Sequence, residues 1–138
     1  MSCLYYRGFW VMSCAMEILR QALQVIVALG LLNVWLARSG KSTRYRGGDA
    51  QSMREEFAAY GLPVAMMYVV GGLKLIIAVA LLAGIWLHVL VVPAAAVLIL
   101  LMIGAFMMHL KVKDPLVKAV PSLLMLAMAI AITVLSVL

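Results

Sequence analysis

Apolar residues in this chain gather in four long runs, separated by one long polar segment and two short ones. The runs cover about residues 17–37, 64–87, 90–110 and 121–138. As a helix, each reaches across most or all of a hydrocarbon layer about 30 Å thick, with tilt taking up any excess. The pattern therefore predicts an all-α membrane protein. It is a four-transmembrane-helix bundle with a short interfacial amphipathic helix between helices 1 and 2.

That short helix lies in the long polar segment, residues 38–63. Gly40, Gly47 and Gly48 punctuate its first half. Asp49 is placed to cap a helix over Ala50–Tyr60, in which Met53, Phe57 and Tyr60 share one face and Arg54, Glu55 and Glu56 point elsewhere. A helix of about ten residues does not stand alone in water, so this one is expected to lie on the bilayer surface and cover the bundle end. Gly61 suits its C-terminal end, and Pro63 marks the start of the next span. The second run carries Gly71-Gly72, Lys74 and a small-xxx-small pair, Ala80 and Gly84, which suit a central helix. A very short link containing His88 makes the second and third runs an antiparallel hairpin. Pro93 falls in the third run's first turn, where a missing N–H does no harm.

At 138 residues the chain is one domain, read here as residues 1–138 with 1–15 as an N-terminal extension. Two-thirds of it (67%) is hydrophobic and 12% is charged, more apolar surface than a soluble domain of this size could hide. The net charge of +6 sits beside the spans, so it speaks for membrane topology and anionic headgroups rather than nucleic acid. Arg38, Lys41, Arg44, Arg46, Arg54, Lys111, Lys113 and Lys118 fall on one side, and only Arg7 and Arg20 on the other. The positive-inside rule puts loops 38–63 and 111–120 in the cytoplasm and both termini outside, with the bacterial inner membrane as the expected location. The aromatic cluster Tyr5, Tyr6, Phe9 and Trp10 beside Arg7 suits a headgroup layer. Cys3 and Cys14 match neither a CxxC pair nor a zinc framework, and their spacing favours free thiols.

Three stretches carry a family resemblance: TRYRGGDAQSMREEFAAYGLP, then MYVVGGLKLIIAVALLAGIW, then PAAAVLILLMIGAFMMHLKVKDPLVKAVPSLL. Together they resemble the DoxX-like family of small four-helix integral membrane proteins, over about Leu29–Leu124. The YGLP…VGGLK spacing and the HLKVKDP turn carry most of the likeness. The resemblance implies the four-helix fold and a charged residue in the second span after a glycine. That residue is acidic in many members and is Lys74 here, so no carboxylate role transfers to it. Family roles range from a subunit of thiosulfate:quinone oxidoreduction, through association with membrane oxidoreductases, to assembly of receptor subunits. Fold therefore follows from the likeness better than function does.

Lys74 is the leading candidate site. It lies near the middle of its span, where a charge costs on the order of 3 kcal/mol and calls for a partner or a ligand. Gln24 lies at about matching depth on the first span, with Glu17 higher, and these three form a candidate buried polar site. Glu17 is also spaced to pair with Arg20. A second candidate is interfacial: Arg44, Arg46, Gly47 and Gly48, where glycine frees backbone N–H groups for an anion, or where the arginines pair with Asp49, Glu55 and Glu56. His109, Lys111 and Lys113 join it, as charges at the end of the third span and contacts for headgroups. His88 and His109 fall at opposite membrane sides and make no bis-histidine haem site.

No catalytic or metal-binding constellation stands out, and the chain reads as no enzyme on its own. No cofactor is expected, with quinone or lipid left as the ligand classes that fit. The expected partners are the lipid bilayer and another membrane protein or a second copy of the chain. The leading expectation is an accessory or assembly subunit of a larger membrane complex. The alternatives are a quinone-facing membrane subunit of an oxidoreductase and the binding or passage of a small apolar or anionic solute.

Overall fold

The computed structural model describes residues 9–138, with side chains from Val11 onward. Four long helices are long and apolar enough to cross a membrane, and no strand occurs among the described residues. Helix α1 is Phe9–Leu32, α2 is Met53–Ala59, α3 is Val64–Ala83, α4 is Val91–Lys111 and α5 is Leu116–Val137. The four long helices form a ring in the order α1, α3, α4, α5, each packed on its two neighbours. The segment 38–63, with α2 inside it, folds over the end where α1 stops and α3 begins. It is called the cap here.

Several boundaries differ from those the sequence suggests. Helix α1 begins at Phe9 rather than near residue 17, so part of the expected extension is helical; residues 1–8 lie outside the described part. Its last turn, Asn33–Ala37, widens into a π-turn closed by Arg38 N–H on Asn33 O at 3.0 Å. Helix α2 starts at Met53, not Ala50, and its cap is Ser52 rather than Asp49. The Ser52 hydroxyl accepts from Glu55 N, and the Glu55 carboxylate accepts from Gln51 N at 2.7 Å. Ser52 and Glu55 thus stand three apart as in a capping box, with the reach-back bond one residue earlier. Helix α3 ends at Ala83, four residues early, in turns over Gly84–Trp86. Helix α5 begins at Leu116, behind Pro115, so Pro121 lies inside it instead of at its start. Pro115 has the extended backbone that precedes a helix, and Pro121 sits early enough to remove only one bond of the ladder.

The free-thiol expectation needs correction at Cys14, which is disulfide-bonded. Spacing pointed the other way, and Cys3 lies outside the described residues.

The end of α2 shows why glycine is needed at 61. Leu62 N–H bonds Phe57 O at 2.9 Å and Gly61 N–H bonds Ala58 O at 3.0 Å, with Gly61 at φ +77°. This is a Schellman ending, whose left-handed residue strains any side chain. It turns the chain sharply from α2 into α3. Met53, Phe57 and Tyr60 are all buried against the bundle, as the helical spacing requires.

Packing is uneven along the bundle. Val27, Ala28 and Leu31 of α1, Ile77, Ala78 and Leu81 of α3, Val91, Ala95 and Leu98 of α4, and Ala129 and Ile132 of α5 form one core. On α3 and α4 these residues lie toward the hairpin between them, away from the cap. Gly84 makes that end tight, since a Cβ there would lie 2.6 Å from Val91 Cγ2. Toward the cap the same helices border a cavity.

Candidate functional site

The cavity has a volume of about 410 Å³ and lies between the cap and the open half of the bundle. That size falls within the range of small-molecule sites. Its walls are mostly apolar, with Met53, Met66, Met102, Met108 and Met125 among them. Methionine is flexible and polarisable, so such a lining adapts to irregular apolar shapes.

Its roof is held by Arg46. This side chain is 5% exposed, and its guanidinium donates to the carbonyls of Arg38, Ser39 and Lys41, and to Glu56 Oε2 at 3.0 Å. The other Glu56 oxygen accepts from Gly47 N at 3.1 Å and from the Tyr60 hydroxyl at 2.7 Å. Glu56 therefore turns inward, not outward with Arg54 and Glu55. Burial, then the neighbouring Glu56 carboxylate, pushes the Tyr60 phenol far above its ordinary range, so it stays a neutral donor. A Cβ on Gly47 would fall on the Tyr60 ring, which explains the glycine.

A latch joins the roof to the α4–α5 turn. The Asp114 side chain, 4% exposed, accepts from Gly48 N at 3.0 Å and sits 2.8 Å from His109 Nδ1. Lys118 Nζ is 3.8 Å from the same carboxylate and donates to Gly48 O, while Lys111 Nζ donates to Tyr60 O at 2.8 Å. His109 also packs edge-on against Tyr60.

The interfacial candidates thus come together, but with internal partners. The freed N–H groups of Gly47 and Gly48 and the Arg46 guanidinium take anions supplied by the chain itself, Glu56 and Asp114. Arg44 stands apart, over the Tyr45 ring at the surface. Lys113 is exposed, in the left-handed conformation of its turn. His109 and Lys111 bridge to Asp114 and the cap instead of capping their own helix.

The buried polar candidates do not come together. Gln24 donates to Leu81 O at 2.7 Å, in the packed half of the bundle, about two turns of α3 beyond Lys74. Glu17 is exposed and lies 3.8 Å from Arg20, as its spacing suggests. Arg20 is 6% exposed and meets His88 at 3.2 Å, so it joins the end opposite the cap. Lys74 points the other way. Its Nζ sits 5.1 Å from the Trp35 ring centroid, lining the cavity. A cation over an indole face is attracted by the ring quadrupole. Among the described residues, the Lys74 ammonium makes no hydrogen bond or ion pair.

Trp35 was missed by the sequence reading, and it connects the site. The π-turn brings its ring against Gly71, where a Cβ would lie 2.6 Å from Cζ3, and its far side meets Phe57 of the cap edge-on at 6.3 Å. The available signal was the glycine pair one turn before Lys74. A Gly71→Ala variant is expected to lose about 1–3 kcal/mol, because a rigid ring, not a flexible chain end, must move. Thermal unfolding in detergent measures the loss, and a shift in tryptophan emission reports the displaced ring.

Chemically, the site can bind. Among the described residues, no three His, Cys, Asp or Glu side chains gather as a metal site. Every charged group of the roof and latch is already matched, and the cation left over faces an apolar chamber.

These features define a small integral membrane protein: a four-helix bundle with a folded cap over a cavity at one end. A model of the DoxX-like family matches residues 23–132, and the chain belongs to that family. No curated protein and no solved structure matches it.

Proposed function

We propose that this protein holds one small amphiphile in the cavity beneath its cap, with the polar end of the ligand on Lys74. The observation that carries this reading is the unpaired Lys74 ammonium facing an apolar chamber of about 410 Å³. A charge within a membrane span is expensive without a partner; around the chamber Arg46, Glu56, His109 and Lys118 have internal partners, and Arg38 is exposed. A ligand oxygen on Nζ would supply the missing one. Anionic lipids, fatty acids and quinones all offer such an oxygen.

The charge count favours the cap facing the cytoplasm of a bacterial inner membrane. Cys14, disulfide-bonded near the start of α1, lies at the opposite end, where an oxidising compartment suits it.

The test is solvent extraction and mass spectrometry of what copurifies with the protein and with Lys74→Met. One dominant amphiphile is expected from the natural chain, reduced about tenfold or more in the variant, as for loss of a charge-assisted hydrogen bond. An unchanged yield from the variant would remove Lys74 from the site.

A second reading, an accessory subunit of a larger membrane complex, has one observation in its favour. Gly72 and Gly104 have open space where a side chain would stand, so another helix could approach closely there. A stoichiometric partner in mild detergent would support it, and a chain that purifies alone would not.

A further inference from the structure

The cavity shows what kind of amphiphile fits and how it arrives. On the cap half of the bundle, α3 and α4 both border the chamber. Met66, Val70 and Lys74 line the chamber from α3, and Leu101, Gly104 and Ala105 line it from α4. Gly104 is both part of the lining and exposed on the lipid-facing surface, and neighbouring Leu100, also in the lining, is 69% exposed. No atom stands within 4 Å of where a Gly104 side chain would begin. Between α1 and α5, Met125 Cε packs onto Gly30. The chamber therefore opens toward the hydrocarbon layer at Gly104, and Lys74 lines the same chamber.

We infer that the ligand is a single-chain carboxylate amphiphile, a fatty-acid-like monoanion, which slides in from the bilayer between α3 and α4 at Gly104. This rests on the binding role above and narrows it. Arg38 also lines the chamber but is exposed, so the one unpaired cation left within it calls for one negative charge, since surplus charge in an apolar chamber is costly. The Glu56 carboxylate lines the same chamber and accepts from Arg46, Gly47 N–H and Tyr60. Already negative, it adds to the penalty for a second negative charge. A compact head on Lys74 leaves the ligand's chain toward the opening, beside the methionines, where the lining adapts to it.

Tryptophan quenching by brominated chains tests this. The background is Trp10→Phe with Trp86→Phe, so that emission comes from Trp35 alone, in vesicles of unbrominated phosphatidylcholine. Dibromostearic acid is expected to quench Trp35 saturably, beyond the level set by dibrominated phosphatidylcholine. The matching dibromostearyl alcohol is expected to need about tenfold more for the same quenching. Lys74→Met should erase that preference. Gly104→Phe should slow quenching several-fold in stopped flow, whereas Gly72→Phe should not. Gly72 also has open space at its Cβ but lies outside the lining, so it controls for bulk on a lipid-facing helix. Equal quenching by acid and alcohol, or an acid preference that survives Lys74→Met, would overturn the carboxylate assignment and leave the binding role standing. An unchanged loading rate in Gly104→Phe would overturn the route. No saturable quenching by either chain would sink the binding role itself.

Discussion

Replacing Arg46 by alanine is expected to unfold the cap while leaving the four long helices in place. Among the described residues the guanidinium ties the carbonyls of Arg38, Ser39 and Lys41 to Glu56, and it is 5% exposed. Its removal leaves the Lys41 carbonyl without a donor, takes one of two donors from the Arg38 and Ser39 carbonyls, and leaves a largely buried carboxylate without its cation. Breaking a buried pair from one side costs about 3–5 kcal/mol. A segment held by few apolar contacts cannot absorb such a loss, whereas the spans are held by their own core and by lipid. Limited trypsin digestion at Arg38–Arg54 should therefore accelerate strongly, with far-ultraviolet circular dichroism almost unchanged. Lysine should not rescue the variant, since one ammonium cannot replace a planar fork bonded on several sides. Equal trypsin resistance in the natural chain and the variant would contradict the role given to Arg46.

The second large effect belongs to Asp114. In Asp114→Ala the cap should come away from the α4–α5 turn. The substitution leaves Gly48 N–H and the His109 ring nitrogen without their acceptor. Each buried group left unpaired costs about 1–3 kcal/mol, so a loss near 3 kcal/mol is expected for the contact. Hydrogen exchange at the Gly48 amide should then quicken by about a hundredfold, at 1.4 kcal/mol for each factor of ten. Asp114→Asn keeps an acceptor for Gly48 and should fall between the two. Lys118→Met should matter least, because Lys118 stands 3.8 Å from the carboxylate and is partly solvated.

Much of the fold was legible in the sequence for plain physical reasons. A run of twenty apolar residues has few alternatives to a membrane span. The face made by Met53, Phe57 and Tyr60 followed from helical spacing, and Gly61 from its need for a positive φ. Boundaries were less legible where two signals competed. Pro121 resembled a helix start, yet Pro115 had already begun the helix. Asp49 resembled a cap, yet Ser52 with Glu55 made a better-matched pair.

The site was legible only in part. Lys74 stood out because charge is rare in such a run. Its direction did not, because a long side chain can reach toward either end of a span, and the ring that attracts it lies 39 positions earlier in the chain. Glu56 was legible as a partner for an arginine, but nothing local shows that Gly47 and Gly48, up to 66 positions away, would present N–H groups to Glu56 and Asp114. Such long-range pairs depend on the finished fold, which no local pattern encodes. Of the two readings of Arg46-Gly47-Gly48, pairing within the chain is the one the structure shows for Arg46, which meets Glu56 at 3.0 Å.

The binding role rests on the chamber under the cap holding a ligand. Native mass spectrometry of the protein released from a mild detergent tests this most directly. One amphiphile bound per chain is expected, displaced or much weakened by Lys74→Met and unaffected by Gly72→Phe. A chain that flies bare, or with lipids at random stoichiometry whether or not Lys74 is present, would contradict it.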